Sequence, residues 1–337
     1  MSAAEPPTST KRWPTHTCSR VSADRLRRRP AVPRQRQPSA SVLRSLKEPL
    51  ERLYQAFNHT ESAVDPVDVV RRYDAPDDQE VVAFCASALA FGRVASVMDS
   101  IEALLAVLGP RPAAFVRGFD PMTDADAFGT LLHRWVRGVD LVALLSVLQR
   151  IIVEAGSIES CLLAGYTATD PDVGPALNRF CERARAVDLS GVYGGGDERR
   201  GVHYFFPRPD GGSACKRLNL FLRWMVRRDA VDLGLWSGLP ASKLVIPLDT
   251  HVVRVGRCLG LTRYRSPGWG MASEITESLR ALDPQDPVRY DFSLCHLGMM
   301  DACGFNQPQR DDHCPLRGVC RPGGRRRQSS VGAFVRR

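Results

Sequence analysis

The chain has 337 residues, 44% hydrophobic and 25% charged, which places it among globular proteins and excludes collagen-like and wholly disordered classes. No apolar run reaches the length of a membrane span, and the first residues lack the apolar core of a secretory signal. The formal net charge of +9 is uneven: residues 1–40 carry nine basic and two acidic groups and residues 321–337 six arginines, leaving −4 on residues 41–320. We expect residues 1–40, rich in Pro, Ser and Arg, to form a disordered basic tail, and residues 321–337 a disordered Arg-rich one. Such tails give salt-sensitive attraction to a polyanion, or are compositional and bind nothing specific.

From Ser41 onward, apolar residues recur at helical spacing. "VLRSLKEPLERLYQAF" predicts a first helix that Pro49 should break or kink. Residues 76–109 predict two helices joined near Gly92 and Arg93. The first has its apolar face on Val81, Phe84, Cys85 and Ala88, the second on Val97, Ile101, Leu104 and Leu108. Further helices are predicted at 125–136, 139–154, 157–164 and 173–186. Residues 190–213, rich in glycine and proline, predict a functional loop. Ser213 should open a helix with Leu218, Phe221, Leu222 and Met225 on its buried stripe. A basic stripe follows on Lys216, Leu220, Arg223 and Arg227. Three helices are predicted after Asp249: one ending at Gly260, one starting at Ser266-Pro267, and a largely buried one starting at Asp286-Pro287. No stretch alternates with a period of two, so an all-α fold is expected.

Ten cysteines without a secretory signal suggest a reducing, cytoplasmic compartment rather than a disulfide framework. Cys85, Cys161, Cys181, Cys258 and Cys295 lie in apolar helical stretches and read as small core residues. Asp249, in "KLVIPLDTHVVRVGRCLGL", stands where an apolar lead turns into a helix. It reads either as an N-cap or as a carboxylate presented for chemistry. The helix dipole and amide donors keep it anionic, suited to stabilising a cation or orienting a nucleophile.

Residues 247–261, "PLDTHVVRVGRCLGL", resemble the aspartate segment of the helix-hairpin-helix DNA glycosylase superfamily, the endonuclease III-like fold. Asp249, Thr250, His251, Val252, Arg254, Val255, Leu259 and Gly260 carry the match. Through "ALAFGRV", "GSACKRLNLFLRWMVR" and "SKLVIPLDTHVVRVGRCLGL", residues 41–320 are similar to an uncharacterised bacterial family of DUF2400 type. The resemblance implies an all-α domain over 41–320, with two helical lobes (80–230, and 41–79 plus 240–320) flanking a cleft.

What the glycosylase resemblance implies is base-excision-repair chemistry. A monomer would bind double-stranded DNA, flip a damaged base and cleave its N-glycosidic bond, with AP lyase activity through a Schiff base as an extension. Asp249 would be the catalytic carboxylate. The superfamily hairpin with its lysine is missing: "RRDAVDLGLWSGLPASK" stands in its place. Lys216, at a first helical turn 33 residues before Asp249, is the alternative nucleophile, a layout similar to archaeal 8-oxoguanine glycosylases. Its other reading is a phosphate-contacting or exposed lysine.

Candidate DNA contacts are Arg93, Arg208, Arg217, Arg223, Arg227, Lys243 and His251, with Tyr204, Phe205 and Phe206 open as base-stacking or core aromatics. Cys303, Cys314 and Cys320 echo the superfamily's closing iron–sulfur motif but lack one thiolate, so a cluster, a zinc ion with His313 or Cys295 completing the set, and a degenerated metal-free loop all stay open. The competing functions are a nucleoid-associated DNA- or RNA-binding protein that has lost the chemistry, and a metal-dependent structural protein of the nucleoid.

Overall fold

The computed structural model describes residues 39–60, 65–194, 200–299 and 314–320, all within one packing unit. Helices dominate. In chain order they are α1 (Ala40–Phe57), α2 (Val67–Val70), α3 (Pro76–Leu89), α4 (Val94–Leu108), α5 (Pro112–Arg117) and α6 (Pro121–Asp124). After a 3₁₀ turn at Ala125–Phe128 comes a short antiparallel hairpin of β1 (Leu132–His133) and β2 (Val136–Arg137). Then follow α7 (Gly138–Ala155), α8 (Ile158–Leu163), α9 (Gly174–Arg185), α10 (Ser190–Tyr193), α11 (Arg200–Phe205), α12 (Lys216–Val226), α13 (Thr250–Cys258), α14 (Trp269–Arg280) and α15 (Asp291–Met299). Among the described residues, no helix is long and apolar enough to cross a membrane.

The strongest periodicities gave the helices expected of them. Every residue assigned to the apolar faces of α3 and α4 is buried, as are Leu218, Phe221, Leu222 and Met225 of α12. Gly260 closes α13 in the left-handed region at φ 74°, where a side chain would be strained. Pro49, expected to break or kink α1, does not break it but lies inside it. The carbonyl that loses its partner belongs to Ser45, which is exposed, so water can replace the missing bond.

Five predicted elements need correction. Residues 125–136 are not a helix but the 3₁₀ turn and β1. Gly138 holds the chain there so closely that a Cβ on it would lie 2.0 Å from the Phe128 carbonyl oxygen. The loop 190–213 contains α10 and α11. α12 starts at Lys216 rather than Ser213, because Cys215 adopts φ 48° and interrupts helical geometry. α14 and α15 begin at Trp269 and Asp291, three and five residues after their predicted starts at Ser266 and Asp286.

Packing partners fall into two groups. In one, α3 lies against α4, α5 and α12, while α7 lies against α5, α8, α9 and α11. Phe84 is the aromatic centre of this group, with Phe206 and Phe221 at centroid distances of 5.6 and 5.0 Å. In the other, α15 packs on α1 and α13. Gly298 permits the α13–α15 approach, since a Cβ there would meet the His251 Cβ at 2.6 Å.

Buried charge links the groups. Arg223 of α12 donates to Asp291 of α15 at 2.6 Å and to Asp232 at 3.1 Å. Arg227 reaches Asp229, Asp232 and Asp286. Both guanidiniums are nearly inaccessible, and the carboxylates around them hold their pKa values above normal despite burial. Burial pushes Asp291 up to about 7, against the opposing pull of Arg223.

Candidate active site

Asp249 occupies the N-cap of α13 with extended backbone, because Pro247 and the apolar lead before it cannot continue a helix. Its Oδ1 accepts the Val252 amide at 2.6 Å. Its Oδ2 accepts the Cys295 thiol of α15 at 3.0 Å. Both oxygens are thus oriented, while the residue stays partly exposed. Burial raises the Cys295 pKa well above its ordinary range. The charge of Asp249 and its hydrogen bond add to the rise, and Lys216 opposes it. Cys295 is therefore a thiol donor at neutral pH, and it lies within electrostatic reach of both Asp249 and Lys216.

Lys216 is the first residue of α12, also partly exposed, and its Nζ donates to the Ala90 carbonyl at 3.2 Å. Ala90 caps α3 in the "ALAFGRV" segment. Two contacts join segments distant in sequence: Lys216 with Ala90 of the α3–α4 connection, and Asp249 with Cys295 of α15. An oriented anion such as Asp249 can stabilise a developing cation, and an amine such as Lys216 can serve as a nucleophile. Backbone strain sits beside the first of these contacts. Cys215 and Arg134 are the two non-glycine residues with positive φ among the described residues, and such conformations cost roughly 1–3 kcal/mol each.

Several sequence-derived DNA contacts are placed elsewhere. Arg223 and Arg227 do not form an outward basic stripe: their charges are consumed in the buried network with Asp232, Asp286 and Asp291. Arg217 is also buried. It stacks its guanidinium 3.2 Å from the Tyr204 ring centroid and donates to the Tyr204 carbonyl, and burial lowers its pKa to about 10. Lys243 staples a loop by donating to the carbonyls of Ala168 and Asp170. Arg208 pairs with Asp210 and Glu182. His251 packs against Gly298, and its Nδ1 is buried without a hydrogen bond. Arg93, the N-cap of α4, remains exposed at the edge of the site.

Phe205 and Phe206 are core residues, while Tyr204 is half-buried. The segment "RRDAVDLGLWSGLPASK" contains a 3₁₀ turn at Ala241–Lys243 and a Trp236 anchored on Glu80 at 2.9 Å. Of the proposed metal ligands, Cys314 is buried and Cys320 partly so; Cys303 and His313 lie outside the described residues. Among the described residues, no group of three or more His, Cys, Asp or Glu side chains is arranged to hold a metal ion. Cys295, which the sequence allowed as a fourth ligand, is engaged with Asp249 instead. Its role had no local signal, since 46 residues separate the two.

No curated protein and no solved structure matches this chain. The family model described as "Protein of unknown function (DUF2400)" matches residues 65–300, a span that contains Lys216, Asp249 and Cys295, and the chain belongs to that family.

Proposed function

We propose that this protein is a DNA glycosylase of endonuclease III-like layout, with Asp249 and Lys216 facing each other across a cleft between the two helical groups. The observation that supports the reading is the hydrogen bond that orients Asp249 Oδ2 on Cys295, a thiol whose pKa Asp249 raises and Lys216 lowers. In the reaction, a damaged nucleotide is flipped from the duplex and the bond between the sugar C1′ and the base nitrogen breaks. Its electron pair leaves with the base. Asp249 stabilises the positive charge that grows on the sugar. The amine form of Lys216 then bonds to C1′ and passes a proton to the departed base; the C1′–O4′ bond breaks as the nitrogen lone pair forms the C=N bond, and the ring-opened Schiff base permits strand cleavage.

Cys295 serves by holding Asp249 Oδ2 in place, and Ala90 by steering the Lys216 Nζ. The test is a panel of duplexes with different damaged bases, assayed for base release, together with borohydride trapping on abasic DNA. Base release that Asp249→Asn abolishes, and a covalent adduct that Lys216→Ala abolishes, are expected. No base release from any lesion and no adduct would refute the reading and leave a protein that at most binds DNA.

A further inference from the structure

Beside the proposed site stands an indole that the reaction does not use. Trp135 lies in the two-residue β1–β2 loop and is 44% exposed, although its surroundings are aromatic. Its ring meets Tyr204 edge to face at 4.3 Å between centroids, with Phe91 at 6.4 Å. Tyr204 in turn rests on the Arg217 guanidinium and on Phe91 at 5.1 Å. The hairpin is tied to the α3–α4 connection through buried His133, whose Nε2 bonds the Phe91 carbonyl at 2.9 Å and whose Nδ1 bonds Ser100 at 2.8 Å. A large aromatic group is thus fixed rigidly with part of its surface left open. A residue serving only the core would be covered.

Its neighbours are cationic. Arg134, preceding it in the loop, holds φ 57°, and its Nη1 lies 3.1 Å from where a Cβ on Gly92 would be. That places its guanidinium over the turn that carries exposed Arg93. The same turn begins at Ala90, the acceptor of Lys216. An open indole flanked by arginines suits one kind of ligand: a flat aromatic group carried on an anionic backbone.

We propose that the hairpin tip is a stacking platform for one unpaired nucleobase of bound DNA, with Trp135 taking the base and Arg93 and Arg134 contacting the phosphates beside it. The proposal rests on the DNA-processing reading above and extends it to how the strand is held next to the flipped nucleotide. Base–aromatic stacking changes affinity by roughly 5- to 150-fold per base.

The experiment is fluorescence anisotropy with the full chain on two labelled duplexes of undamaged bases, one fully paired and one with a single unpaired thymine. The wild type should prefer the bulged duplex. Trp135→Ala should lose about tenfold or more of that preference without weakening binding to the paired duplex, and Trp135→Phe should keep most of it. The Arg93→Ala, Arg134→Ala double variant should weaken both duplexes and reduce the salt slope by about two.

A bulged-to-paired ratio unchanged in Trp135→Ala, or no preference in the wild type, overturns the proposal. So does equal weakening on both duplexes, which would mark a general duplex contact, and so does a change from dimer to monomer in sedimentation, which would mark a self-association face. The glycosylase reading is decided separately by base release. A protein that releases no base but reads the bulge through Trp135 keeps the platform and loses the chemistry.

Discussion

Asp249 caps α13 and, in the proposed reaction, also stabilises the sugar cation; a pair of substitutions separates the two. As N-cap it supplies an acceptor to the Val252 amide, and asparagine supplies an equivalent one, whereas alanine supplies none. Asp249→Asn removes the charge at the helix terminus, worth about 0.3–1 kcal/mol. Part of that loss is offset, because Asp249 also raises the pKa of buried Asp291 by repulsion. Asp249→Ala loses the cap itself, about 1 kcal/mol, and leaves the Cys295 thiol without its acceptor. Against a domain stability of about 5–15 kcal/mol, both variants fold. The proposed reaction needs the charge, so on that proposal both should slow base release by at least about 100-fold, or roughly 2.7 kcal/mol of transition-state stabilisation. Urea denaturation followed by circular dichroism measures the first quantity, and single-turnover base release the second. An Asn variant with the wild-type rate, beside an Ala variant that is merely less stable, would reduce Asp249 to a cap and refute the argument.

Three further outcomes are expected. Arg223→Met removes the cation paired with Asp291, whose side chain is 4% exposed, and should destabilise the protein by about 3–5 kcal/mol in urea; a change under about 1 kcal/mol would contradict the network's role. Burial and the charge of Asp249 keep Cys295 protonated, so iodoacetamide at pH 8 should label it slowly in the native protein and faster in Asp249→Asn, as read by mass spectrometry. Equal labelling rates would contradict the contact. Burial lowers the His133 pKa below its ordinary 6.5, so the unfolded chain takes up the proton first and stability is lost as pH falls through 6.5. Thermal melts between pH 7.5 and 5 should therefore slope less in His133→Gln. His296 is also lowered by burial and remains in both proteins, so identical slopes would mean that His133 contributes nothing.

Long, densely periodic helices were legible in the sequence. The predicted spans 139–154 and 173–186 became Gly138–Ala155 and Gly174–Arg185 because their apolar spacing leaves no competing period. The hairpin was not legible, since its apolar residues also fit helical spacing and the deciding contact, Gly138 on Phe128, is tertiary. Periodicity likewise put Arg223 and Arg227 on one face of α12 but could not tell what covers that face. The answer lies as far as 68 residues away, at Asp291. The contact of Cys295 with Asp249 was half readable: the carboxylate carries recognisable flanks, while the thiol sits in a helix whose composition announces only burial.

The Arg223–Asp291 pair has a bearing on how the proposed enzyme would respond to its surroundings. Arg223 lies seven residues, about two turns, along the helix that begins with Lys216, and Asp291 lies one turn before Cys295. One solvent-free ion pair therefore ties the helix of Lys216 to that of Cys295, and dissolved ions weaken it far less than they weaken surface attraction. Raising the ionic strength should loosen the grip on DNA while leaving turnover of the bound complex nearly constant. If the proposed DNA binding holds, a site locked in this way leaves the deformation to the duplex.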